Sequence, residues 1–174
     1  MTAPDSLDSL ATPRLRLRRF TAADRPPFAA INADPVVMRH LGGVLSRAGS
    51  DALLDRVDEH WAQWGYGLQA VELRGDGRLV GFIGLSHHRA LPDDVELGWR
   101  LAADCWGRGL ATEGAAAVRD AAFAHLGLTR LVSITTDDNV ASRRVMDKLG
   151  FTYVRHLPFE QWDLRVSELV DRTS

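Results

Sequence analysis

The sequence predicts a mixed α/β fold in which a run of antiparallel strands leads into a strand–helix–strand unit. Two apolar runs within residues 68–86 flank a Gly-Asp-Gly turn, which is a strong hairpin signal. Residues 110–126 place apolar side chains on one helical face, and residues 131–136 are rich in β-branched side chains. Strands that precede a helical crossover in this order indicate one sheet covered by helices.

The first third of the chain predicts a strand and two helices. Residues 14–20 alternate apolar and basic side chains, which is typical of a strand. Thr21, followed three residues later by Asp24, indicates a helix start. That helix should end near Asp34, because the residue before a proline disfavours the helical conformation. Apolar side chains at helical spacing predict a second helix over residues 50–64, which the glycine after it ends.

The remaining elements follow from apolar periodicity and from turn and cap residues. They are strands at 68–73, 79–86 and 95–101, a helix at 110–126, a strand at 131–136, a helix opened by Asn139 and closed by Gly150, and strands at 151–155 and 162–170. The 174 residues fit a single domain, residues 1–174, of which 1–13 are expected to form a partly flexible N-terminal segment.

Composition excludes several classes of protein. Hydrophobic residues make up 45 % and charged residues 25 % of the chain, as in ordinary globular proteins. The net charge of −2 offers no basic surface for nucleic acid, and no apolar stretch approaches the ~20 residues of a membrane span. Residues 1–13 contain no basic residue, so they resemble neither a secretory signal nor a transit peptide, and we expect a cytoplasmic protein.

Cysteine and lysine usage adds two expectations. Cys105 is the only cysteine, which rules out an internal disulfide and a cysteine-rich metal site, and we expect no metal. Lys148 is the only lysine among the 21 lysine and arginine residues. Codon bias in a GC-rich bacterial genome explains this preference for arginine better than a functional need for it.

The most informative stretch is residues 96–113, where a strand ends, a short glycine-containing loop follows and a helix begins. Gly107 and Gly109 permit a sharp turn and close approach of a ligand. The first amides of the helix lack internal partners and lie at the positive end of the helix dipole, which suits a phosphate or pyrophosphate. Arg108 and Thr112 can add donors. Equally, the glycines can serve tight packing of a helix start. The loop is neither a P-loop nor the three-glycine dinucleotide fingerprint.

A second segment, from Asn139 to Gly150, begins with a good cap residue and carries Ser142 in its first helical turn. Taken alone it is typical of an ordinary capped helix with a glycine stop.

Together these segments resemble the GNAT superfamily of acyl-CoA N-acyltransferases. The sequence looks closest to the branch of the RimJ/RimL-type ribosomal-protein N-terminal acetyltransferases, and the resemblance covers nearly the whole chain. Trp106 departs from the general superfamily loop but is usual in this branch. The motifs that carry the resemblance are TPRLRLRRF at 12–20, DPVVM at 34–38, ELGW at 96–99, WGRGLATE at 106–113, and Asn139-x-x-Ser142 followed by LGF at 149–151.

The resemblance implies a mostly antiparallel sheet with a splayed strand pair that holds acyl-CoA. Acetyl-CoA would be the co-substrate, with its pantetheine arm pairing along Trp99, Arg100 and Leu101 like an added strand. Asn139 would contact the same arm, and Ser142 would lie close to the sulfur. The residues implied to hold the pyrophosphate are Trp106, Gly107, Arg108, Gly109, Leu110, Ala111 and Thr112.

Acetyl transfer to an amine needs a base, because an aliphatic amine is mostly protonated at neutral pH. Glu96 is the candidate base, since strand alternation places it with Gly98 and Arg100 on the face opposite the apolar set. It can equally be a solvated carboxylate or the partner of an arginine. Ser142 is the candidate hydrogen-bond donor to the leaving thiolate.

Other residues have a functional interpretation and an ordinary one. His87 or His88 can act as base or line the acceptor pocket, but both also suit a strand end at the surface. An acyl-cysteine on Cys105 is disfavoured, because the family transfers the acyl group directly in a ternary complex. The acceptor pocket can be walled by Trp61, Trp64 and Tyr66, or these aromatic side chains can pack in the core. A cationic acceptor can be attracted by Asp93 and Asp94, or the two residues can simply form a polar turn.

The predicted function is N-acetyl transfer to a primary amine of a protein N-terminus, a peptide, an amino acid, or a small amine such as a polyamine or an antibiotic. The alternative is a non-catalytic module that binds or senses acyl-CoA, against which the presence of both Glu96 and Ser142 argues. A homodimer is the default expectation for the oligomeric state.

Overall fold

The computed structural model describes residues 7–171, which form one sheet and the helices that cover it. In chain order the elements are β1 (Ser9–Ala11), β2 (Leu15–Arg18), α1 (Arg25–Asn32), α2 (Arg47–Trp64), β3 (Leu68–Leu73), β4 (Leu79–His88), β5 (Leu91–Leu101), α3 (Leu110–Leu126), β6 (Arg130–Thr135), α4 (Val140–Leu149), β7 (Thr152–Phe159) and β8 (Trp162–Val170). Short 3₁₀ turns at Ala22–Asp24 and Ala103–Cys105 precede α1 and α3.

The described residues contain an 8-stranded sheet in the order β1-β2-β3-β4-β5-β6-β8-β7. Every neighbouring pair is antiparallel except β5 and β6, which run parallel. The crossover between these two parallel strands is α3. The predicted fold class, a mixed and mostly antiparallel sheet flanked by helices, is therefore confirmed.

Local signals position most of the element ends. Asn139 caps α4 by accepting a hydrogen bond from the Ser142 amide at 3.2 Å, and Gly150 ends that helix with a positive φ of 90°. Gly65 ends α2 in the same left-handed conformation. The predicted bounds of β3, α3 and β8 match the structure.

Elsewhere the elements differ from the predicted bounds. The strand β1 was not predicted. It lies in the segment expected to be flexible, of which residues 1–6 are outside the described residues. Helix α2 begins at Arg47 because Ser46 caps it. Strand β5 begins at Leu91, which pairs with His88 of β4, and a register shift separates this pair from that of Glu96 with Ser86.

The core lies on both faces of the sheet. On one face α3 packs against strand side chains that include Leu15, Ile83 and Leu97. On the other face Phe28 of α1 and Leu54 of α2 pack against Ala70 and Phe82. Among residues 7–171 no helix is both long and apolar enough to cross a membrane.

Candidate active site

Strands β5 and β6 part almost as soon as they meet. Their only paired residues in the described structure are Glu96 and Val132. Beyond that point β5 continues to Leu101 while it pairs with β4 alone, and β6 continues along β8. The edge of β5 that faces β6 is therefore open over Leu97–Leu101, and a cleft widens toward the C-terminal ends of both strands.

The two faces of β5 divide as the alternation predicts. Leu97 and Leu101 are buried in the core beside α3, and Val95 and Trp99 pack against the same cluster. Arg100 pairs with Phe82 and Glu96 pairs with Ser86 across β4 and β5, so both lie on the face that α1 covers. The apolar set therefore packs into the core, and the polar set faces the opposite helical layer.

Glu96 is not a solvated surface charge. It is half-buried, and its carboxylate accepts hydrogen bonds from the Ile134 backbone and the Ser86 side chain. Burial raises the pKa of Glu96 to about 7, although those two hydrogen bonds act in the opposite direction. Its described partners include no arginine, so the alternative of an arginine-paired carboxylate is not realised.

Open space lies beside this carboxylate, over Gly98. A methyl group built on Gly98 would meet only the Glu96 side chain, with Oε1 3.8 Å away. By contrast, a methyl group on Gly84 would come within 2.4 Å of the Gly67 carbonyl oxygen. The glycine that pairs with Gly98 across the strands is thus closely packed, whereas Gly98 itself borders a space that a small group can enter.

The start of α3 has the form of an anion-binding turn. Gly107 and Gly109 have φ of 71° and 76°, the left-handed region that favours glycine, and no side chain caps the helix. Arg108 is exposed at the turn. The Trp106 indole donates to the Leu101 carbonyl at 2.8 Å, so its ring braces the loop against the end of β5.

The N-terminal segment holds this turn from behind. The Arg14 guanidinium donates to Glu113 at 2.6 Å and to the Arg108 carbonyl at 2.8 Å, while Thr12 donates to Glu113 at 2.6 Å. Burial alone would raise the pKa of Glu113, but the bonds from Thr12 and Arg14 outweigh it and leave that pKa below its ordinary value. Sequence reasoning missed this cluster because about a hundred residues separate its partners.

The start of α4 places Ser142 beside the cleft. The Asn139 side chain caps the Ser142 amide, and the Ser142 hydroxyl has no hydrogen-bond partner among residues 7–171. Ser142 is half-buried. Both residues lie at the start of the helix that follows β6, whose C-terminal end borders the widening gap.

The connection between α1 and α2 crosses this gap, and its second half belongs to the loop 41–50 on which the choice of acceptor is expected to depend. In the connection between α1 and α2, residues 33–46, Val37 and Met38 pack with Ala102 and Ala103 after β5. Farther along the same connection, His40 Nδ1 lies 3.4 Å from Asp138 Oδ2 after β6. Because β5 and β6 are parallel, both contacts lie where the strands diverge, and the loop covers the cleft on the Glu96 face.

The predicted histidine candidates are already engaged. His87 Nδ1 donates to the Pro92 carbonyl at 3.0 Å, and its Nε2 lies 2.9 Å from the Tyr66 hydroxyl. His88 accepts from the Ala90 amide at 3.1 Å and stacks edge-on against Phe159. Burial lowers the pKa of His88. Each imidazole is therefore held by neighbouring groups among the described residues.

Most of the predicted aromatic and acidic residues contact other side chains or backbone groups of the chain. Trp61 is buried and donates to the Leu68 carbonyl at 2.9 Å. Trp64 and Tyr66 stack with the imidazole cluster of His60 and His87. Asp94 is paired with Arg130, while Asp93 is exposed in β5.

Cys105 is buried beside Arg78, and burial raises the pKa of its thiol, which opposes an acyl-cysteine role. Within residues 7–171 no three His, Cys, Asp or Glu side chains converge as a metal site would need.

Comparisons with known proteins bear on this geometry. The family model described as an acetyltransferase (GNAT) domain matches residues 14–152. The uncharacterized N-acetyltransferase YoaA of Bacillus subtilis is 30% identical over 155 residues, which span 82% of this chain and 81% of YoaA. The crystal structure of an acetyltransferase from Agrobacterium tumefaciens is 30% identical, with a TM-score of 0.85, and covers 98% of this chain and 99% of its own.

Two more distant structures share the fold. A RimL ribosomal L7/L12 α-N-protein acetyltransferase, solved with coenzyme A, has a TM-score of 0.78 at 15% identity and covers 92% of this chain and 96% of its own. Spermidine N-acetyltransferase from Vibrio cholerae, solved with coenzyme A and spermine, has a TM-score of 0.73 at 17% identity and covers 91% of this chain and 96% of its own.

Proposed function

Because the chain belongs to the GNAT acetyltransferase family, it is an acyl-CoA-dependent acyltransferase, and we propose that its acceptor is a primary amine bound on the α1 face of β5. The observation that carries this proposal is the Glu96 carboxyl, which lies where β5 and β6 part, next to the open space over Gly98. A cleft for the donor and a space for the acceptor thus meet at one titratable group.

The residues present fit acetyl-CoA. The open edge of β5 over Leu97–Leu101, where among the described residues only the Leu101 carbonyl is taken by the Trp106 indole, offers its backbone groups to a pantetheine arm in the manner of an added strand. The uncapped start of α3 offers backbone amides from Gly107 to Thr112, with Arg108 beside them, to the pyrophosphate. When bound, acetyl-CoA supplies a thioester carbon that the amine nitrogen attacks.

We propose that Glu96 accepts the proton that the amine must lose. A free aliphatic amine has a pKa of about 10.4, so its neutral form is scarce at neutral pH. A general base works best when its own pKa lies near the operating pH, and that of Glu96 is raised to about 7. Direct attack in a ternary complex needs no acyl-enzyme, which agrees with the buried Cys105.

We propose that Ser142 donates a hydrogen bond to the departing thiolate. Its hydroxyl is unpartnered within the described residues, and the Asn139 cap holds the backbone of that turn in place. A donor that acts on charge formed only in the transition state raises kcat without tightening substrate binding.

The finer assignments also remain proposals. A RimJ/RimL-type branch is supported by the ELGW and WGRGLATE motifs and by the fold shared with RimL, although spermidine N-acetyltransferase shares that fold as well. A cytoplasmic location and a homodimer are proposed from the sequence alone.

A thiol-release assay with acetyl-CoA tests the function. Peptides, amino acids, polyamines and aminoglycosides serve as acceptors, and Glu96→Gln is compared with Glu59→Gln, which changes an exposed carboxylate of α2. We expect at least one class of acceptor to be acetylated. The rate of acetylation should fall strongly in Glu96→Gln and stay unchanged in Glu59→Gln. Binding of coenzyme A without transfer to any acceptor would instead favour a non-catalytic acyl-CoA-binding module.

A further inference from the structure

The guanidinium of Arg100 is only partly satisfied by the protein. Its Nη1 donates to the Asn32 side-chain oxygen at 2.6 Å, and its Cζ lies 5.1 Å from the centroid of the Phe82 ring. Its Nε is buried and has no hydrogen-bond partner, and no carboxylate within residues 7–171 forms an ion pair with it. A guanidinium carries five N–H donors, so most of those of Arg100 are unused.

Arg18, another arginine that faces inward, has carboxylate partners that Arg100 lacks among the described residues. Arg18 pairs with Asp24 at 2.7 Å and with Glu72 at 3.1 Å, so two carboxylates meet its charge. Burial lowers the pKa of Arg100 to about 10, whereas the carboxylates raise the pKa of Arg18. A buried cation without an anion is costly, and a ligand that supplies the anion removes that cost.

Arg100 also lies in the right place to meet an acceptor. It shares its strand face with Glu96 and with Gly98, over which the space is open. The loop 33–46, which covers the cleft on this face, packs against Ala102 and Ala103 just beyond Arg100. The pyrophosphate site at the start of α3 belongs to the helix that packs on the opposite face of the sheet.

We propose that Arg100 binds an anionic group of the acceptor, so that the preferred acceptors are amines that also carry a carboxylate. This inference rests on the proposed function, because it takes the amine to lie over Gly98 beside Glu96. A strand advances about 3.4 Å per residue, which separates Gly98 from Arg100 by about 7 Å. The amine and the carboxylate should therefore be several bonds apart, as in a dipeptide or an ω-amino acid, and not on one carbon as in an α-amino acid.

The test measures acetylation of matched acceptors that differ only in charge. Glycylglycine, β-alanine and 6-aminohexanoate are each compared with the corresponding carboxamide, using wild type, Arg100→Met and Arg56→Met. Arg56 is an exposed arginine of α2, so its variant controls for the change in net charge. The Kd for coenzyme A and the melting temperature of each protein are measured alongside.

We expect wild type and Arg56→Met to show a lower KM for an acid than for its amide, by about tenfold for a charge-assisted hydrogen bond. In Arg100→Met that ratio should fall to near one, with the Kd for coenzyme A unchanged. Equal KM values for acids and amides in wild type would overturn the inference without any variant. A loss of melting temperature in Arg100→Met with the acid preference intact would also overturn it and assign Arg100 to structure. Failure to acetylate any amine, acid or amide, would instead count against the proposed function.

Discussion

At the scale of single residues, the environment of Glu96 determines how its charge responds to pH. Removal from water raises its pKa from 4.5 to about 7, so the residue becomes a competent base only as pH rises through that value. We expect kcat/KM of the wild type to increase through pH 7 and that of Glu96→Gln to be lower by about 10²-fold. The deficit should shrink toward the pKa of the amine, where neutral amine is abundant. A pH–rate profile that is superimposable on wild type would exclude Glu96 as the base.

The same shift gives a control that does not depend on activity. Because the folded-state pKa lies above the unfolded one, the contribution of Glu96 to wild-type stability falls between about pH 4.5 and 7 and is level above that range. Glu96→Gln has no such titration. The melting temperature of Glu96→Gln should therefore rise relative to that of wild type as the pH increases from about 4.5 to 7. A difference in melting temperature that is the same at every pH would show that the Glu96 carboxyl is not held in its protonated form.

Ser142 carries a separate prediction. Ser142→Ala should bind acetyl-CoA nearly as well as wild type but lower kcat about tenfold or more, because the hydroxyl acts on charge present only in the transition state. Ser142→Thr keeps a hydroxyl at the same backbone position and should recover part of the loss. Pre-steady-state measurements under conditions where chemistry limits the rate decide it, and an unchanged kcat would leave Ser142 as a first-turn helix residue.

At the scale of elements, the first turn of α3 is best tested through its side chains. A valine at Gly109 would be strained whatever space is available, because that residue has a φ of 76°. Arg108 is exposed, and its own side chain has no described partner, so Arg108→Glu changes charge without disturbing packing.

We expect Arg108→Glu to raise the Kd for coenzyme A about tenfold, and more strongly at low ionic strength because salt screens exposed charges. Arg155→Glu makes the same charge change on exposed β7 and should leave the Kd unchanged. Calorimetric titration at two salt concentrations measures both. Equal effects of the two variants would attribute binding to overall charge and not to this turn.

Elements were predictable from sequence where the signal is local. The cap at Asn139 and the stop at Gly150 depend on neighbours within a few residues, and they define α4 in the structure as predicted. The start of β5 was missed because Pro92 and the acidic pair after it favour a turn, whereas in the structure the strand already begins at Leu91, which pairs with His88 of β4. Tertiary pairing overrode the local preference there.

At the scale of the whole molecule, the site depends on contacts that join distant parts of the chain. The sequence predicts Glu96 and the glycine turn as site residues because both lie within one continuous motif. It missed the contacts of His40 with Asp138 and of Arg14 with Glu113, since no periodicity relates residues about a hundred positions apart. It named Arg100 for its backbone position and had no signal for the bond to Asn32.

The whole fold should respond to the donor. A ligand that binds only the native state at a hundred times its Kd stabilises it by about 2.7 kcal/mol. For a chain of this size that corresponds to an increase in melting temperature of about 5–10 °C. Differential scanning calorimetry with coenzyme A measures it, with adenosine as a control that lacks the pyrophosphate. No increase at millimolar coenzyme A would remove the basis of the proposed function.

The single paired position between β5 and β6 divides the sheet into two backbone-bonded parts, β1–β5 and β6–β8. The exposed turn at Gly127, between α3 and β6, is a place where the chain can be cut without breaking either part. We expect fragments 1–127 and 128–174, expressed separately, to associate more tightly with acetyl-CoA than without it, as native mass spectrometry would show. Assembly that is indifferent to acetyl-CoA would mean that packing alone holds the halves together. If acetyl-CoA does tighten the association, a two-fragment version of this enzyme reports acyl-CoA concentration through reassembly. The separation of β5 from β6 would then be the basis of a split sensor.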